Sequence, residues 1–225
     1  ISKLMGVVNQ VALSAVSRLQ DDQVRLRARL LDAIRLMMLV SVPCLWGLSC
    51  VAPEIVGAIL GPKWYPATIA LQLISLVAPA SILMAVLSTA LAGVGRAVMD
   101  LRNTIIGAIV LGICLLVGVQ WELAGLAIAW VVASLLIGIF RIPRTAGALG
   151  IPVRDILGTL RLPVFGGCAM YAVVWLTRGL LPEVNPAVML AMLIPAGAGT
   201  YVGTILLLDR NALSDLGRIT SAMRG

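Results

Sequence analysis

The chain has 225 residues, of which 60% are hydrophobic and only 12% charged, with a mean hydropathy of +1.05. Soluble domains run at about 45–50% apolar and about 25% charged, so no aqueous core of this size hides so much apolar surface and the bilayer must take the remainder. The balance of 17 Lys and Arg against 10 Asp and Glu gives +7, but these charges sit in short clusters between apolar runs, a pattern of membrane topology rather than of nucleic-acid binding.

In chain order, residues 1–17 contain the half-apolar stretch LMGVVNQVALSAV and read as the end of a transmembrane helix. The first residue is Ile1 rather than methionine, so the chain reads as part of a longer polypeptide. Residues 18–35 hold Arg18, Arg25, Arg27, Arg29 and Arg35, and read as a cytoplasmic basic loop or the start of an interfacial helix. Asp21 or Asp22 can cap that helix, and Asp21 lies four residues before Arg25, where an ion pair forms on one helical face.

A helix needs about 20 apolar residues to cross the hydrocarbon core. Six stretches qualify, at about 36–60, 67–92, 103–120, 122–140, 162–181 and 187–208. The expected fold is an all-α integral membrane bundle of six full transmembrane helices plus the end of a seventh. Internal prolines at Pro43 or Pro53 and at Pro79 are tolerated in such helices, because neighbours can satisfy the freed carbonyl groups. The turn ILGPKWYPA after the first span has helix breakers, Trp64 for the headgroup level and Lys63 to snorkel, and reads as an outer-face turn. Gly93, Gly95 and Arg96 read as a helix stop, or as a hinge. Residues 151–161 are amphipathic and are expected to lie flat on the inner leaflet. Residues 209–225 form a cytoplasmic tail, in which 211–222 has the pattern of another short helix.

The charges fix an orientation. Alternate connections carry five, two, four and three basic residues, while the intervening ones carry one, none and one. Basic loops stay in the cytoplasm, which places 18–35, 93–102, 141–161 and 209–225 there. Trp64, Tyr65, Trp121 and Trp175 fall near the opposite face, as amphipathic rings do, whereas Trp46 and Trp130 are mid-span and are expected to pack between helices.

No chemistry of bond-making is visible. The chain has no histidine, and its four cysteines lie in apolar runs without metal-ligand spacing. No enzyme activity, cofactor or metal is expected. Polar residues inside the spans are the candidates for function: Asn9, Gln10, Gln72, Ser75, Ser88, Thr89, Asn103 and Thr104. They serve either as interhelical hydrogen bonds or as the polar wall of a cavity, for which Asn9, Gln10, Gln72 and Asn103 are chosen. Arg18, Arg25, Arg29 and Arg96 face the cytoplasmic headgroups.

The ordered set LSAVSRLQDDQVRLRARL, PEIVGAILGPKWYPATIALQLISLVAP, LAGVGRA and RTAGALGIPVRDILGTLRLPVFGGCAMYAVV resembles the Wzx-type polysaccharide exporters. These are lipid-linked oligosaccharide flippases of the multidrug/oligosaccharidyl-lipid/polysaccharide (MOP) transporter superfamily. The resemblance implies one lobe, the C-terminal half, of a two-lobed alternating-access transporter. It implies a substrate, an undecaprenyl-pyrophosphate-linked oligosaccharide for capsule, exopolysaccharide or O-antigen assembly. Arg18, Arg25, Arg29 and Arg96 would then meet the pyrophosphate, which a planar guanidinium grips with two parallel bonds. The implied partners are the bilayer, the N-terminal half of the same polypeptide, and a polysaccharide polymerase with other assembly proteins. An ion gradient would drive the cycle, and nucleic acid is no partner. Two other readings stay open. A small-molecule exporter of the same superfamily would need buried acids mid-membrane, and none is evident in the sequence. A membrane-embedded glycan ligase or polymerase would need a large outer loop.

Overall fold

A computed structural model describes residues 23–180 and 185–208. Six long helices account for most of them: α1 (Gln23–Cys50), α2 (Thr68–Gly93), α3 (Ala97–Gly118), α4 (Glu122–Ala148), α5 (Val153–Leu180) and α6 (Pro186–Leu208). Among the described residues, five helical segments are long and apolar enough to cross a membrane, and one of these, Ala97–Ala148, is α3 and α4 together. The shortest of the six helices, α3, has 22 residues, about 33 Å of length against a hydrocarbon core of about 30 Å. No strand occurs among the described residues; a helix satisfies every backbone N–H and C=O within itself, as a waterless surrounding requires. The protein is an all-α polytopic membrane protein.

The helix ends follow local chemistry. After α2, Gly95 takes a left-handed φ of 77°, which only glycine adopts at no steric cost. Arg96 N–H then reaches back to Leu91 O at 3.0 Å, and Gly95 N–H to Ala92 O at 3.0 Å. After α4, Gly150 at φ 69° closes the same way, with Ile151 N–H on Ala146 O at 2.9 Å and Gly150 N–H on Gly147 O at 3.2 Å. Both are Schellman endings, so the Gly93–Arg96 segment is built as a stop. At the start of α6, Asn185 Oδ1 accepts from Ala187 N–H at 3.0 Å, ahead of Pro186 in the first turn.

Three boundaries differ from expectation. The basic stretch is no separate loop: α1 runs unbroken from Gln23 through it. Nothing between 23 and 42 is Gly or Pro, and Leu26, Leu30 and Ile34 recur at helical spacing and are buried, while Arg25, Arg29 and Asp32 are exposed. The stretch 151–161 does not form a helix of its own; it runs into α5, and Ile156 is fully buried. Arg141 and Arg144 lie within α4, which continues to Ala148, not in a connection. In each case a helix outruns its apolar span and carries charges at its end. At the other end of α1, the chain passes through a single helical turn at Ala52–Ile55, a wide π turn at Val56–Leu60 and a 3₁₀ segment at Pro62–Ala67. Gly61 at φ 82° makes the corner, and Trp64 and Tyr65 are exposed on it.

The chain divides into two compact units. Of the described residues, the first comprises 23–35 and 80–159, the second 36–79, 160–180 and 185–208. In the second, Leu39, Cys50, Met170, Val174, Leu193 and Tyr201 pack into one apolar cluster from α1, α5 and α6. Pro43 lacks an N–H, so the carbonyl of Leu39, four residues earlier, has no helical donor. Tyr201 Oη–H supplies one at 2.9 Å. The ring can reach because Gly166 has no side chain: a Cβ there would stand 3.0 Å from Tyr201. Beside it, a Cβ on Gly167 would stand 2.6 Å from the Trp46 ring, whose Nε1–H donates to Leu76 O at 2.9 Å.

In the first unit, α3 and α4 form a hairpin that closes on two glycines. A Cβ on Gly118 would meet Gly125 O at 2.7 Å, and one on Gly125 would strike Gly118 O. Backbone thus touches backbone at the turn, as small residues allow in membrane bundles.

Candidate functional site

Charged groups inside a membrane bundle are costly and are kept where they are paired or used. The first unit holds a polar knot at Arg141. Its Nη2 donates to Asp100 Oδ1 at 2.7 Å, to Ser88 Oγ, and to Thr104 Oγ1 at 3.5 Å. One guanidinium on α4 therefore ties α2 to α3. The Arg141 side chain is 16% exposed and that of Asp100 is 23% exposed, so the pair sits in a poorly solvated place where its attraction is only partly screened. A second pair in this unit, Arg27 with Asp155, joins the start of α1 to the first turn of α5.

Next to the knot lies a cleft of about 340 Å³. One wall is a single face of α2 (Ala80, Ser81, Met84, Ala85, Ser88), the other a single face of α4 (Trp130, Ser134, Ile137, Arg141), with Leu111 of α3 between. Trp130 therefore lines an open space rather than packing only between helices. Ser134 Oγ–H is given to Trp130 O at 2.7 Å, so this hydroxyl of the wall is occupied by its own helix.

The second unit carries its own pair. Glu54 Oε1 accepts from Arg178 Nε–H at 3.1 Å, and Glu54 is 6% exposed. Its Oε2 has no hydrogen-bond partner among the described residues. A buried acid is not evident from the sequence, because Glu54 follows Pro53 close to a turn; the fold brings Arg178 to it and so makes its burial tolerable.

Of the candidate contact residues, Asn9, Gln10 and Arg18 lie outside the described residues. Gln72 is half-buried on α2, and its backbone carbonyl accepts from Ser49 Oγ–H at 2.9 Å. Asn103 is 6% exposed on α3, with Nδ2 unpartnered among the described residues. Ser75 is buried. Thr89 returns its hydroxyl to Ala85 O at 3.0 Å. Ser88 and Thr104, far apart in sequence, meet on Arg141. Arg25, Arg29 and Arg96 are all exposed. Sequence reasoning misses Arg141, which counts there only as one of four basic residues in a connection. A signal is nonetheless present, since Arg141 directly follows the apolar run 122–140 with no helix breaker between.

An all-helical bundle whose polar knots tie helix to helix defines a polytopic integral membrane protein. Residues 1–69 match the family described as polysaccharide biosynthesis protein. A Klebsiella pneumoniae relative, described as an uncharacterized membrane protein in cps region, is 32% identical over 73 residues, which cover 32% of this chain and 15% of that protein. Among solved structures, the lipid II flippase MurJ in an inward closed conformation has the same fold, with a TM-score of 0.72 at 17% identity over 92% of this chain and 43% of that one. The chain thus spans less than half the length of the proteins it matches. The likeness to the solved flippase shows the fold, and the family match reaches residues 1–69.

Proposed function

We propose that this chain is one lobe of a transporter that moves a lipid-linked oligosaccharide across the bacterial inner membrane. The substrate is an undecaprenyl-pyrophosphate-linked repeat unit, carried from the cytoplasmic to the outer leaflet for capsule, exopolysaccharide or O-antigen assembly. The observation that carries this reading is the fold shared with a lipid II flippase, together with the polysaccharide-biosynthesis likeness of residues 1–69. The physical problem is common to such cargoes: a glycan and its phosphates cannot enter hydrocarbon without polar partners.

Alternating access by two lobes supplies those partners from each side in turn. In this reading the N-terminal half of the whole protein is the other lobe. Gln72 and Asn103, with Asn9 and Gln10, are polar contacts for the glycan, and Arg18, Arg25, Arg29 and Arg96 receive the pyrophosphate on the cytoplasmic side. An ion gradient supplies the work, and a polymerase with its assembly proteins takes the product.

The test uses the full-length gene, deleted in its host, with lipid-linked oligosaccharide assayed on each face of the inner membrane. The expected result is completed repeat units accumulating on the cytoplasmic face, with loss of surface polysaccharide. Repeat units that reach the outer face but stay unpolymerised or unattached would overturn transport in favour of an enzyme.

A further inference from the structure

The cleft between α2 and α4 has a shape and a charge that the transport reading does not use. Arg141 and Trp130 stand on one face of α4, separated by about 16 Å along the helix axis at the standard rise per residue. Half of the hydrocarbon core is about 15 Å deep, so the cleft runs the depth of one leaflet. Its length is lined mainly by apolar or small side chains, Ala80, Met84, Ala85 and Ile137 among them, and Ala80, Ser81 and Ala85 are exposed. Only one end is strongly polar.

At that end Arg141 uses one nitrogen, Nη2, for all three of its hydrogen bonds. Its Nε–H and Nη1 hydrogens make no hydrogen bond among the described residues. Arg144 follows one turn later on α4 and is exposed. Two arginines against one aspartate leave a net positive mouth on an apolar slot. Basic pockets between transmembrane helices at the cytoplasmic side suit anionic lipid headgroups.

We propose that this cleft binds one anionic phospholipid of the surrounding bilayer, with its phosphate at the arginine mouth and one acyl chain laid between α2 and α4 toward Trp130. The lipid bridges the two helices along a seam that the Arg141 knot closes only at its end. This site belongs to the lobe itself and does not depend on what the protein transports.

Bromine on an acyl chain quenches a nearby indole, so Trp130 reports the chain directly. The full chain is reconstituted in vesicles containing brominated phosphatidylglycerol or brominated phosphatidylcholine, and Trp130→Phe isolates the component that belongs to this residue. Quenching of that component is expected at lower mole fraction of phosphatidylglycerol than of phosphatidylcholine, by about fivefold for each arginine engaged. Because Arg141 pins three helices, Arg144→Gln carries the charge test and should reduce the preference about fivefold. Ala85→Leu, which fills the slot, should abolish the quenching while leaving the protein folded. Equal quenching by the two lipids, or quenching untouched by Ala85→Leu, would assign the cleft to bulk bilayer lipid and overturn the proposal. Competition by free inorganic phosphate at millimolar concentration would do the same, by making it a phosphate pocket.

Discussion

Pro43 removes a donor from α1, and the carbonyl of Leu39 that it strands is satisfied at 2.9 Å by the phenol of Tyr201 on α6. Tyr201→Phe should therefore lower stability by about 1–3 kcal/mol, the usual cost of stranding a buried polar group. In a Pro43→Ala background, where residue 43 regains its N–H, the same change should cost close to nothing. A double-mutant cycle read by unfolding in detergent checks both; equal penalties in the two backgrounds would refute the pairing. Asn103 is the opposite case, a buried amide whose Nδ2 finds no partner among the described residues. Asn103→Leu is expected to leave stability unchanged or raise it by about 1 kcal/mol, since it removes a desolvated polar group. A loss of export at unimpaired stability would then give the amide its role in transport.

The α3–α4 hairpin and the Schellman endings carry the logic of the elements. Gly118 and Gly125 stand backbone to backbone, so Gly118→Ala should destabilise by about 1–3 kcal/mol through overpacking. Gly112 on the same helix meets nothing within 4 Å, and Gly112→Ala should be neutral or stabilising by about 0.5–1 kcal/mol. Thermal unfolding of the two variants side by side is the measurement, and similar behaviour would mean that the glycine contact does not hold the turn. Much of this architecture is legible in the sequence. The apolar runs announce the long helices, and the Gly-Arg sequence at 95–96 announces a stop. What stays hidden is where helices continue past their apolar spans. Residues 23–35 and 153–161 are charged enough to look like surface segments, yet each keeps one apolar face, of which Leu30 and Ile156 are the clearest members. Arg141 is hidden for a related reason: the partners that give it meaning, Ser88 and Asp100, lie 53 and 41 residues away.

For the whole molecule, the transport reading makes its sharpest demand on the exposed cations of α1. Replacing Arg25 and Arg29 together by glutamine is expected to cut export by at least about tenfold, by weakening charge-assisted bonds to phosphate. The check is surface polysaccharide normalised to inserted protein; full export at normal insertion would remove these two residues from the substrate path. The fold class follows from the spans and their charges, but the site only in part. A cavity wall depends on which helix faces point at one another, and Asn9, Gln10 and Arg18 lie outside the described residues.

The ion pairs have an electrical consequence. Arg141 with Asp100 and Arg178 with Glu54 each join one positive and one negative group. A single elementary charge carried through 100 mV exchanges about 2.3 kcal/mol with the field, whereas a matched pair that travels together exchanges none. A rearrangement that keeps these pairs intact therefore moves them silently through the membrane potential. In the transport reading, voltage then reaches the cycle mainly through charges outside these pairs.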